Sequence, residues 1–215
     1  MSGVFPRRGH NKHKTTVKRF LLFAGLSLIS FILWGVITQH RVTASEVMPT
    51  QITTNTNTYW QGGSFPVENF QAYTSPYGYR RSPRGSGTEF HRGLDIAAPE
   101  GSYIRNWWAG QVVSLSDNTA CGTSITIKSG EWKHIYCHLK GHVETDSQGM
   151  YLSDRSGGIQ IWKGQQIPTG TRIGRVGMTG RTTGPHLHWG LKYADKYIDP
   201  ALVLREMYRR QTASN

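Results

Sequence analysis

Thr183-Gly184-Pro185-His186-Leu187-His188-Trp189-Gly190 holds two imidazoles one residue apart, just after a Gly-Pro corner. Read as an extended strand, alternation sends His186 and His188 to one face and Leu187 to the other. Same-face neighbours on a strand stand about 6–7 Å apart. Two histidines so placed can serve one metal ion, or one can hold metal while the other handles protons. The ordinary alternative is a surface strand with two solvated histidines. Ligand residues elsewhere in the chain decide between these readings.

Outward from that stretch the texture is β. The runs GQVVSLS (110–116), SITIK (124–128), WKHIYCHL (132–139), GIQIW (158–162), TRIGRVG (171–177) and HLHWGLKY (186–193) are short, β-branched or aromatic, and punctuated by turn residues. Such runs predict strands. No amphipathic run of helical length interrupts them. With 25 glycines in 215 residues and 37% hydrophobic content, an all-β, loop-rich domain over residues 63–200 fits better than a helical bundle. The exception is the tail at 201–215, where Asp199 suits an N-cap, Pro200 the first helical position, and a short helix follows. Residues 140–160 carry no strand signal before 158 and are expected to form a long polar loop beside the cleft.

The net charge of +12 is uneven. Residues 1–41 carry seven basic residues and no acid; the remaining 18 basic and 13 acidic residues leave +5. The basicity therefore belongs largely to the N-terminal tail, and no nucleic-acid partner is expected. After the basic tail (1–19), residues 20–38 (FLLFAGLSLISFILWGVIT) are uncharged and span about 28 Å as a helix, close to a bilayer's hydrocarbon core. The basic upstream flank orients the tail to the cytoplasm and the rest across the membrane. The expectation is a retained single-pass signal anchor, followed by a polar linker at 39–62. The rival is a signal peptide cleaved after Val42-Thr43-Ala44.

Cys121 and Cys137 are the only cysteines. In an exported chain, one pair predicts a disulfide. A three-residue hairpin at 128–130 would set residue 121 opposite 137, with Cys137 and His138 on opposite faces.

His91-Arg92-Gly93-Leu94-Asp95 offers a second pair of ligands. In a straight strand His91 and Asp95 would stand about 13 Å apart, too far to share an ion. Both can bind only if the chain bends, which Gly93 makes easy. With His188 they form a two-His, one-Asp set that leaves a position for water, as a catalytic zinc site requires. No His-Glu-x-x-His occurs, which excludes a helical His pair with an adjacent glutamate base. His134, His142 and His40 read as solvated or groove-lining, and His10 and His13 as solvated.

Taken together, these motifs give the chain a resemblance to the lysostaphin-type (LytM-like) zinc metalloendopeptidases of bacterial cell walls. The resemblance runs from about residue 75 to 200. It is carried by Ser75-Pro76-Tyr77-Gly78-Tyr79-Arg80, His91-x-Gly-Leu-Asp95-Ile-Ala-Ala-Pro99, Gly110-x-Val-Val113, Tyr136-x-His138-Leu139, Gly177-x-Thr-Gly180 and Thr-Gly-Pro-His186-Leu-His188. It implies a small domain of two antiparallel sheets around a long groove, of the duplicated hybrid motif type. It further implies Zn2+ on His91, Asp95 and His188, with His138 and His186 as unliganded catalytic histidines. The implied substrate is peptidoglycan at its stem-peptide cross-links, polyglycine bridges being the weaker option. Relatives that have lost ligands act only as activators of other wall hydrolases; this chain keeps all five positions. Three features depart from the pattern: Arg105-Asn106-Trp107-Trp108, the cysteine pair, and the length of the segment after His138.

Overall fold

The computed structural model describes residues 59–83 and 85–213. The basic tail, the apolar run at 20–38 and all of the linker up to residue 58 lie outside the described residues. Among the described residues no helix is long and apolar enough to cross a membrane.

The domain begins with a 3-10 turn at Tyr59–Gly62 and proceeds almost wholly in strands. In chain order these are β1 (Ala72–Ser75), β2 (Gly78–Arg81), β3 (Thr88–His91), β4 (Leu94–Ala97), β5 (Tyr103–Arg105), β6 (Gly110–Ser116), β7 (Ser124–Ser129) and β8 (Trp132–Cys137). There follow β9 (His142–Asp146), β10 (Gly149–Asp154), β11 (Ile159–Trp162), β12 (Gln166–Ile167), β13 (Arg172–Arg175), β14 (His186–Tyr193) and β15 (Lys196–Ile198), then helix α1 (Pro200–Ala213). The all-β expectation holds, and the pairing is antiparallel throughout. The division into sheets is uneven. One sheet has eight strands in the order β1-β4-β14-β8-β7-β6-β12 with β15 on β14; β9–β11 form a second, and β5/β13 and β2/β3 form two small ribbons.

Strand β14, the stretch from which the reading started, lies inside the large sheet between β4 and β8. Its alternation is as expected: Leu187, Trp189 and Leu191 are fully buried, while His186 and His188 face the other way. At the centre of the core lies Trp107, with ring centroids 5.4 Å from Trp132, 5.7 Å from Trp189 and 6.1 Å from Trp60. The Arg105–Trp108 departure is thus a packing feature. Asn106 beside it donates to the carbonyls of Ile167 and Pro168. Trp60 brings the 3-10 turn into this cluster, so the folded unit takes in the last residues of the expected linker.

Three expectations need correction. Residues 140–160 are not a loop but most of the β9–β10–β11 meander, and none of them lines the cleft. Its outer strand β9 is mostly polar because that strand has few core contacts, which hid its period. The β7–β8 hairpin turns on Gly130-Glu131 with Ser129 opposite Trp132, not on three residues, because Gly130 takes the left-handed φ of 58° that a two-residue turn needs. His134 is fully buried, bonded to Ser129 Oγ at 2.8 Å and Tyr136 Oη at 2.9 Å. It shares the core face of β8 with Tyr136, and burial pushes its pKa down to about 3. His142 is exposed, as expected, and pairs with Glu144. Asp199 caps α1, accepting from the Ala201 N–H at 2.9 Å.

Candidate metal centre

Strand pairing places the site. Asp95 on β4 and Cys137 on β8 flank His188 on either side of β14. All three residues point away from the core, into a cleft of about 760 Å³ that also takes in His91, His138 and His186. His91 and Asp95 are brought together by a bend. β3 ends at His91, β4 starts at Leu94, and Arg92-Gly93 turns the corner between two different sheets. Gly93 is needed there for space. A Cβ on it would lie 2.6 Å from Cε1 and 2.7 Å from Nε2 of His188.

The donor atoms of His91, Asp95 and His188 form a tight triangle. His91 Nε2 is 3.0 Å from Asp95 Oδ1, His188 Nδ1 is 2.9 Å from the same oxygen, and the two nitrogens are 2.9 Å apart. Among the described residues, their donor atoms cluster closely enough to hold a metal ion. One ion with ligand bonds of about 2.0–2.2 Å reaches atoms up to about 4.4 Å apart, so all three can share it. The proton count agrees. His91 Nδ1–H donates to the Pro76 carbonyl at 2.7 Å, so a neutral ring turns a bare lone pair on Nε2 towards Asp95 Oδ1. Two acceptors facing each other at 3.0 Å are stabilised by a cation between them, either a proton or a metal ion. Two imidazoles and one carboxylate are a zinc donor set, and the residues fit that ion.

Burial and neighbouring groups shift two of the three candidate ligands, Asp95 and His188. Burial works against ionisation of Asp95, but His188 and His91 outweigh it and hold the carboxyl well below the usual carboxylate range. Burial pushes His188 down, partly offset by Asp95, so its ring is neutral at neutral pH.

His138 and His186 stand beside the triangle, their ring centroids 4.9 Å apart. His138 Nδ1–H donates to the Thr179 carbonyl at 2.8 Å, and His186 Nδ1–H to that of Gly184 at 2.9 Å. Each ring therefore keeps Nε2 free in its neutral form, and His186 Nε2 lies 3.5 Å from Asp95 Oδ1. By alternation His138 belongs on the core face, opposite to Cys137. It reaches the cleft because its backbone is left-handed, with φ 63°. That conformation costs about 1–2 kcal/mol per residue. It is held on both sides: His138 N–H donates to Cys121 O at 2.8 Å, and Gly177 N–H to His138 O at 2.9 Å. Burial pushes the His138 pKa down to about 4 in spite of the Thr179 bond.

All five sequence-expected residues are therefore in one cleft. The disulfide between Cys121 and Cys137 is present, but it lines that cleft rather than lying away from it. The supporting carbonyls of Pro76, Thr179 and Gly184 were not legible, because a backbone group leaves no mark on residue type. Nor was any role for Arg80, whose guanidinium reaches Asp95 Oδ2 at 2.9 Å.

Comparison with known proteins places part of the chain in a peptidase family. Residues 142–200 match the family model of Peptidase family M23, a span that includes His186 and His188. The DD-carboxypeptidase/endopeptidase Mpg of Neisseria meningitidis serogroup B is 28% identical over 144 residues, 66% of this chain and 29% of its own. The peptidoglycan DD-endopeptidase ShyA of Vibrio cholerae is 31% identical over 129 residues, 59% of this chain and 26% of its own. The chain thus spans less than a third of either relative. A crystal structure of a zinc containing peptidase from Vibrio cholerae aligns with TM-score 0.50 and 27% identity, covering 63% of this chain and 37% of that one.

Proposed function

Because residues 142–200 match Peptidase family M23, we propose that the chain is a zinc-dependent endopeptidase that hydrolyses the peptide cross-links of bacterial peptidoglycan. The observation that carries this reading is the triangle of His91, Asp95 and His188 donor atoms, at 2.9–3.0 Å, with two further histidines facing it. His91, Asp95 and His188 hold the zinc. Bound there, zinc supplies a Lewis acid for the scissile carbonyl and lowers the pKa of water towards about 7.

The chain's own groups supply the proton handling. Burial keeps the His138 ring neutral, and with Nδ1 tied to Thr179 O its Nε2 can accept a proton from the attacking water. His186, with Nδ1 tied to Gly184 O, presents Nε2 at 3.5 Å from Asp95 Oδ1. Whichever ring becomes an imidazolium steadies the developing oxyanion or protonates the leaving amine. Thr179 O and Gly184 O fix the tautomers, so both rings enter the reaction already oriented. Zinc-loaded protein incubated with purified sacculi should create new peptide termini at the stem cross-link, identified by mass spectrometry, and a chelator should abolish them. Termini within polyglycine bridges would move the substrate to that alternative. Intact cross-links would overturn the reading.

We also propose that residues 20–38 anchor the enzyme in the membrane, with the catalytic domain on the periplasmic or extracellular side. The support is the uncharged run and its basic upstream flank. The protein should stay in the membrane fraction after a high-salt wash; a mature N-terminus at Ser45 would contradict this.

A further inference from the structure

Residues 75–80 open the family resemblance, yet none of the steps above falls to them. In the structure they wrap the two ligands that come from the His91–Asp95 bend. Pro76 O accepts from His91 Nδ1. Arg80 Nη1 donates to Asp95 Oδ2 at 2.9 Å and to Ser75 Oγ, while its Nε and Nη2 donate to Glu89 Oε1 at 3.0 and 2.9 Å. Glu89 lies directly opposite Arg80 across the β2–β3 ribbon, so the hairpin itself fixes the guanidinium. The Arg80 side chain is 22% exposed and that of Asp95 10%, which limits screening of their contact.

The two oxygens of Asp95 are thereby made unequal. Oδ1 faces His91 and His188; Oδ2 is taken by Arg80. A carboxylate free to swing can place both oxygens on one ion, and would then occupy the position a catalytic site leaves for water. We propose that Arg80 is a positioning residue that makes Asp95 a one-oxygen ligand and so sets the coordination number of the metal. A planar fork can reach Glu89 and Asp95 together, which the point charge of a lysine cannot. The inference rests on the metal-centre reading given above.

Metal-free wild type, Arg80→Gln and Arg80→Lys should be titrated with Zn2+ for affinity and with Co2+ for the ligand-field absorption, which is intense at four-coordinate and weak at five-coordinate sites. Both variants should bind metal about 10–100-fold more weakly. Their Co2+ spectra should also shift towards higher coordination, with the thermal midpoint of the metal-free protein little changed. Arg80→Lys keeps the charge and carries the test if Arg80→Gln does not fold. Variants with wild-type affinity and spectrum would overturn the inference while leaving the metal centre standing. A wild type that takes up no metal would end both.

Discussion

Cys137 stands directly across the β8–β14 ladder from His188, and the next residue, His138, is held in its left-handed turn by the carbonyl of Cys121. The disulfide is thus part of the wall that positions two of the five site histidines and carboxylates. Opening it should release about 3 kcal/mol of chain-entropy stabilisation for a loop of 16 residues. It should also lower turnover while leaving zinc bound, since His138 lies outside the proposed ligand set. Thiol titration of denatured, unreduced protein should find no free cysteine, and Cys137→Ala should show a lower melting temperature and a reduced rate. Full activity in the folded variant would show that the disulfide does not hold His138.

Gly93 leaves no room for a side chain against His188. Gly93→Ala should cost about 1–3 kcal/mol as an overpacked site and should lower zinc content, because the obstructed ring belongs to the proposed ligand set. Thermal melting together with metal analysis checks this. An unchanged zinc content would show that β3 and β4 can part without disturbing the triangle.

His134 gives the fold a pH dependence of its own. Its folded pKa is near 3, because burial disfavours the cation, and its unfolded value is about 6.5. Between those values the unfolded chain binds the extra proton, so stability falls as pH falls, by up to about 1.4 kcal/mol per unit. The stabilisation is fully present above about pH 6.5. Denaturant midpoints from pH 7 to 4 should decline for wild type and decline less for His134→Gln. Equal slopes would show that His134 is not what titrates.

How much of this was legible in the sequence differed by kind of feature. The β14 alternation was plain because large apolar residues alternate with histidines over a buried strand, and the Gly93 bend followed from the distance His91 and Asp95 would otherwise stand apart. His134 was misplaced because its partners, Ser129 and Tyr136, are satisfied only by a hairpin register that Gly130 decides. Cys137 and His138 were set on opposite faces because alternation assumes extended backbone, and His138 leaves it. The β9 strand was missed because an edge strand with little core contact carries no apolar period. Arg80 was visible as a residue but not as a partner of Asp95, since that contact joins two sheets.

In the proposed mechanism His91, Asp95 and His188 hold the metal while His138 and His186 move protons. Ligand removal should lower both zinc content and rate, since affinity depends on ligand number. Removal of a proton-handling group should leave the metal in place and cut turnover by a factor on the order of 10² to 10⁴. Zinc stoichiometry measured beside hydrolysis rate for Asp95→Ala, His188→Ala, His138→Ala and His186→Ala tests this directly. Little zinc is expected in the first two variants, and about one zinc per chain with almost no activity in the last two. Loss of zinc from His186→Ala with retention by His188→Ala would reverse the roles, and four variants with full zinc and full activity would contradict the peptidase reading itself.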